Sequence, residues 1–129
     1  MFDSIWFDSL NKPFLQPPEW IFSPVWILLY ATLLISLILY TTKLTKKNKL
    51  TGIVLFVLHM LFNLLWSPAF FVLHNIKLAL LIIIIMDITA IIFIKKFFSV
   101  SKTSGIILIP YLVWIFFATY LNYQFYILN

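Results

Sequence analysis

Apolar residues in this chain run in long unbroken stretches instead of alternating with polar ones. Four stretches stand out, at about residues 24–42, 52–73, 78–98 and 105–128. A hydrocarbon layer roughly 30 Å thick is crossed by about 20 apolar residues of helix, so each stretch is long enough to span it. Continuous apolarity at twice the length of a barrel strand predicts helices and not a transmembrane β-barrel. The expected fold is all-α: a polytopic membrane helix bundle of four transmembrane helices over residues 24–129. An interfacial lead rich in aromatic residues and Pro precedes it over residues 1–23. No basic segment and small-residue cleavage site precede the first apolar run, so it does not read as a cleaved signal peptide.

Composition agrees. Of 129 residues, 64% are hydrophobic and 10% charged, with a mean hydropathy of +1.07. Soluble domains are about 45–50% apolar and about 25% charged. A soluble fold of this size buries only about 60–70% of the surface its chain exposes. A soluble globular enzyme is therefore excluded, and so is disorder, which needs low hydrophobicity. The absence of Cys excludes disulfide frameworks, thiolate metal sites and Cys nucleophiles.

The net charge of +5 comes from nine Lys, and their positions matter more than their number. Lys43, Lys46, Lys47 and Lys49 follow the first span, and Lys95, Lys96 and Lys102 surround the turn after the third. Only Lys12 and Lys77 lie on the other side. The short connections make successive helices antiparallel, and the positive-inside rule then places these two Lys-rich connections in the cytoplasm. Anionic-lipid binding is the alternative reading of the cluster. Nucleic-acid binding is not expected, because it needs Lys interleaved with aromatics on one exposed surface. The Lys, Asn and Ile bias with no Arg points to an AT-rich, bacterial host and hence to a bacterial cytoplasmic membrane.

Polar residues inside a span should face the bundle interior. His59, Asn63, Trp66 and Phe70 are spaced by four, three and four and share one helix face. Tyr111, Trp114 and Ala118 form a second stripe with Asn122 one turn on, and Trp26 and Tyr30 stand at i and i+4. These positions either line a pocket for a flat apolar ligand or pack the bundle, with Asn63 and Asn122 bonding helix to helix. Asp87 sits mid-span, where an unpaired carboxylate is costly. Counting ~1.5 Å per residue from the turn between the second and third spans puts Asn63 at its depth, with His59 a turn deeper. The expected partner is therefore Asn63, with a proton or cation relay through Asp87 and His59 as the alternative. Pro68 should kink the second span, and His74 reads as a solvated loop residue. The two His residues are too far apart for a metal site. No catalytic constellation, metal site or cofactor is expected.

The lead carries Trp6-Phe7-x-x-Leu10-x-Lys12-Pro13, then Pro17-Pro18-x-Trp20-x-Phe22-x-Pro24-Val25-Trp26-x-x-x-Tyr30. Two later blocks are Phe62-Asn63-x-x-Trp66-Ser67-x-x-Phe70-Phe71 and Pro110-Tyr111-x-x-Trp114-x-x-Phe117-Ala118-x-Tyr120-Leu121-Asn122. In order and spacing the three blocks resemble the TspO family of tryptophan-rich sensory proteins and translocator proteins. The resemblance implies a homodimer in the bilayer that binds a porphyrin or another planar hydrophobic molecule for sensing or transport. The positions matching Trp26, Asn63 and Trp114 would line its pocket, with Tyr30, Trp66, Phe70 and Ala118 around them. Trp6 and Pro17 of the aromatic lead would cap it, although the lead reads equally as an interfacial anchor.

The resemblance also carries an alternative, light-dependent porphyrin breakdown using Trp26 and Trp114; Asp87, which matches no residue of the family motif, suggests another, a small transporter or structural partner subunit using it in ion coupling. The departures are specific. Family members have five helices, the first ahead of the aromatic loop, so either this is a piece of a longer chain or a four-helix variant; the missing bundle wall favours the former. Phe7 stands where Tyr is common. No basic residue follows the segment from Ala118 to Tyr123, which leaves sterol binding without its usual motif; Leu37 to Lys43, around Tyr40, fits that loose pattern instead.

Overall fold

The computed structural model describes residues 6, 9–12, 17 and 19–129, with backbone only at 19 and 22. From Glu19 on, among the described residues, five α-helices follow in order: α1 (Glu19–Thr42), α2 (Leu50–Ser67), α3 (Ile76–Val100), the short α4 (Lys102–Ile106) and α5 (Ile109–Leu128). A π-helical turn, Pro68–Val72, extends α2, and no strand occurs among the described residues. Among the described residues four segments are long and apolar enough to cross a membrane: Ser23–Thr42, Leu50–Val72, Ile76–Val100 and Lys102–Leu128. The all-α four-span bundle expected from the hydrophobic pattern is the one observed.

The distribution of polarity is that of a protein solvated by lipid. Ser36, His59, Asn63, Thr89, Ser104 and Asn122 are buried, while Ile27, Leu28, Leu34, Leu61, Leu64 and Val113 stay largely exposed. Outward Leu and Ile cost nothing in hydrocarbon, whereas an outward Asn or His would lose its hydrogen bonds. The chain is an integral membrane protein.

Helix α3 is the centre of the bundle, with α2 along one side and α5 along another; α1 leans mainly on α4 and α5. Small residues permit the closest approaches. Gly52 leaves room for the buried Tyr40 ring, whose hydroxyl donates to the Lys49 carbonyl at 3.1 Å. At the same end, Ser36 Oγ donates to the Ser104 carbonyl at 2.7 Å, and Ser104 Oγ donates back to the Ser36 carbonyl at 3.0 Å. This reciprocal pair fastens α1 to α4.

Three local features differ from the expectation. Helix α1 starts at Glu19, so Pro24 lies inside it and not in its first turn. Pro24 has no N–H for the Trp20 carbonyl, but Trp20 is 74% exposed at the helix mouth, where water can serve that group. Pro68 does not simply kink the second span. With no N–H at Pro68, the backbone rewinds so that Leu73 N donates to the Pro68 carbonyl at 2.9 Å, the i→i−5 pattern of a π-turn. The fourth span is also interrupted: α4 ends at Ile106, and α5 resumes at Ile109 with Pro110 in its first turn.

Candidate functional site

The face predicted on α2 meets α5 and α1 through one connected set of hydrogen bonds. Tyr30 on α1 donates its hydroxyl to Asn63 Oδ1 at 2.6 Å, and Asn63 Nδ2 donates to the Tyr111 hydroxyl oxygen at 2.9 Å. The Tyr111 hydroxyl also bonds His59 Nε2. His59 Nδ1 lies 3.0 Å from both the Met86 carbonyl and Thr89 Oγ1 on α3. His59 and Tyr111 are fully buried and Asn63 is 5% exposed, whereas Tyr30 is 38% exposed. The set therefore runs from the bundle centre to a half-open aromatic face. There Trp26 stands against Tyr30, with ring centroids 5.6 Å apart.

The sequence-predicted residues separate into two groups. Trp26 and Trp114 are half-buried and pack on the cluster containing Leu29, Leu33, Tyr111 and Ile115. Trp6, Trp66 and Ala118 pack instead on the cluster of Phe70, Ile83, Met86 and Phe125. Within this second group Trp66 and Phe70 rings lie 5.5 Å apart, and Trp6 meets Phe70 edge-on at 5.6 Å. Trp66 Nε1 donates to Asn122 Oδ1 at 2.9 Å, and Asn122 Nδ2 donates to the Ile76 carbonyl at 3.2 Å. Tyr30 and Asn63 join α1 to α2 by a side-chain hydrogen bond. Pro17 is half-buried. Phe7, Pro13, Phe14 and Pro18, and the Phe22 side chain, lie outside the described residues. An open depression of about 400 Å³, walled in part by His74, Lys77, Tyr126 and Asn129, has none of the predicted site residues in its lining.

Two expectations are corrected. Asp87 does not pair with Asn63; its Oδ2 lies 2.7 Å from Thr119 Oγ1 on α5. It is His59, expected a turn deeper, that lies against Met86 and Thr89 on either side of Asp87, while Asp87 itself turns towards α5 and Asn63 is engaged by two tyrosines. Asp87 Oδ1 is buried with no hydrogen-bond partner. The Thr119 hydroxyl has a single hydrogen and two oxygens at 2.7 Å, Asp87 Oδ2 and the Ile115 carbonyl. Thr119 Oγ1 is the donor in both, its one hydrogen shared between the two oxygens. His74 is exposed, yet it is not merely a solvated loop residue: its ring stacks on Trp6 at 4.2 Å and 6°. Its φ of 52° is what lets the chain reverse there before Asn75 Oδ1 caps α3 at Leu78 N.

Comparison with known proteins decides the lineage. The profile of the TspO/MBR family matches residues 2–128. The chain belongs to this family. Among curated TspO/MBR relatives, the tryptophan-rich protein TspO of Archaeoglobus fulgidus is 40% identical over 129 residues, covering 96% of this chain and 80% of its own. The tryptophan-rich protein TspO of Chlorobaculum tepidum is 35% identical over 127 residues, covering 98% and 80%. The translocator protein of Bos taurus is 30% identical over 121 residues, covering 92% and 72%. These TspO/MBR names are not names of enzymes. Sequence reasoning had placed His59 and Tyr111 on inward stripes but missed their direct bond, and it missed Thr89, Thr119 and the Ser36–Ser104 pair. Lone hydroxyl residues in apolar runs were the available signal; which helix each one meets was not.

Proposed function

We propose that this TspO-family protein binds a porphyrin or a similar planar hydrophobic molecule and serves in its sensing or transport. The observation that carries the reading is the half-open aromatic face of Trp26 and Tyr30, joined to a buried polar core through Asn63. Indole faces supply flat apolar area and an N–H donor, the combination a tetrapyrrole uses. Trp114 is half-buried and packs on the same cluster as Trp26, which supports counting it with that face. Phe70, Trp66 and Ala118 shape its neighbour, and Trp6 and Pro17 belong to the aromatic lead that caps it. Asn63 acts by holding Tyr30 and Tyr111, so the group nearest the ligand is the Tyr30 hydroxyl.

The protein acts as a homodimer in a bacterial cytoplasmic membrane, with the two Lys-rich connections on the cytoplasmic side. The positive-inside asymmetry and the family resemblance support this arrangement.

The test is porphyrin quenching of tryptophan fluorescence in nanodiscs. Trp26→Ala and Trp114→Ala should each weaken binding by about tenfold, the loss of one aromatic contact with its buried area. Unchanged affinity in both variants would remove the site assignment.

A further inference from the structure

The hydrogen bonds around Asn63 have a direction, and His59 sets it. The two groups facing His59 Nδ1 are the Met86 carbonyl, which only accepts, and Thr89 Oγ1. The single Thr89 hydrogen is directed to the Ile85 or Met86 carbonyl, each at 3.0 Å, so Thr89 also meets the ring as an acceptor. His59 Nδ1 therefore carries the hydrogen. The ring is fully buried with no carboxylate among its partners, and it is neutral, so Nε2 is a bare acceptor.

Each further step follows from counting hydrogens. Tyr111 has one, and it goes to His59 Nε2, so towards Asn63 the Tyr111 oxygen can only accept. The Asn63 amide must then turn its NH₂ to Tyr111 and its Oδ1 to Tyr30, which settles an orientation that heavy atoms alone leave ambiguous. Tyr30 must donate inward. Its hydroxyl hydrogen is committed to Asn63, so to any other partner it offers only oxygen lone pairs. Every bond in the chain points towards the bundle centre.

We infer that His59 is a positioning residue that fixes this direction, so that Tyr30 presents an acceptor and the site selects planar ligands bearing an N–H or O–H at the edge that meets it. The inference rests on the planar-ligand reading above. A planar ligand offering only acceptors at that edge would face Tyr30 lone pair to lone pair, with no donor to relieve it.

Three isosteric tricyclic probes test this in competition with bound porphyrin: carbazole has a ring N–H, dibenzofuran a ring oxygen and fluorene neither. Carbazole should compete about three- to tenfold better than dibenzofuran, the range of one net hydrogen bond. Tyr30→Phe should abolish that preference, bringing the ratio of carbazole to dibenzofuran competition to about one. His59→Leu should abolish or invert it. His59→Gln should keep it, because an amide can both accept from Tyr111 and donate to the Met86 carbonyl.

Equal competition by carbazole and dibenzofuran, or a preference that survives both Tyr30→Phe and His59→Leu, would overturn the inference. So would failure of all three probes while porphyrin still quenches, and that outcome leaves the planar-ligand reading standing. A second measurement needs no ligand. With only two histidines in the chain, ¹⁵N-histidine spectra assigned with a His74→Ala variant report the His59 tautomer directly. The Nδ1–H form is expected, and the Nε2–H form would overturn the proposed direction whatever binds.

Discussion

Gly105→Ala should destabilise the bundle far more than a single methyl group suggests. A Cβ at this position would lie 2.6 Å from Phe98 Cβ and 2.8 Å from Phe98 Cα. Carbon atoms rest about 3.5–4.0 Å apart, so the two segments must separate by roughly an ångström. Phe98 cannot relieve the clash by a rotamer change, because its Cα and Cβ are fixed by the backbone of α3. The displacement falls on α4 instead, and residue 104 carries the reciprocal bonds to Ser36 at 2.7 and 3.0 Å. An ångström of movement takes both beyond ordinary hydrogen-bond length. Overpacking costs about 1–3 kcal/mol, and two interhelical bonds in a membrane add about 0.6 kcal/mol each, so a loss of about 2–4 kcal/mol is expected. Reversible unfolding in mixed micelles, followed by helical circular dichroism, measures it. Coupling provides the sharper check: Ser36→Ala should cost less in the Gly105→Ala background than alone, because its bonds are already stretched. A loss below about 0.5 kcal/mol, within the ordinary range for surface changes, or full additivity of the two substitutions, would show that the contact between α3 and α4 is not close in the way described.

Trp66→Phe keeps a six-membered aromatic ring but removes the pyrrole half of the indole and its bond from Nε1 to Asn122 Oδ1, and should lower unfolding free energy by about 1 kcal/mol or more; a silent variant would deny that bond any weight. Asp87→Asn should stay within about 0.5 kcal/mol of the parent, since an amide oxygen accepts from Thr119 Oγ1 as the carboxyl oxygen does. Infrared difference spectra between the two proteins should contain a protonated-carboxyl C=O band, because a charged carboxylate with one buried, unbonded oxygen is costly within a span, and a carboxylate signature would refute this. Because the chain has no Cys, single introduced thiols read its sidedness. A membrane-impermeant maleimide added to intact cells should modify Leu73→Cys and spare Leu44→Cys, and the opposite pattern would reverse the proposed orientation.

Much of the site was legible because spacing along a helix is a local property. The four, three and four steps from His59 to Phe70 put all four residues on one face whatever the helix packs against, and they do face inward. The same reasoning failed at Asp87. Rise per residue gives depth in the bilayer, and depth made Asn63 its neighbour, but the rotation of α3 about its own axis aims Asp87 at Thr119. At Pro68 the missing N–H announced a disturbance, but not that it would take the form of a π-turn, in which Phe70 is buried against the cluster of Ile83, Met86 and Phe125.

By itself, the sequence determined that the chain spans a bilayer four times, which stretches cross, which faces carry polar and aromatic groups, and, through three ordered motifs, the family. All of these depend on hydropathy and helical period, which act within one segment. Only the tertiary structure decided the pairings: Tyr30 with Asn63, Tyr111 with His59, Asp87 with Thr119 and Ser36 with Ser104. Lipid solvates every apolar face about equally, so hydropathy cannot choose among helix rotations. Close approach at small residues and the need to satisfy each buried polar group make that choice, and both arise only when helices meet.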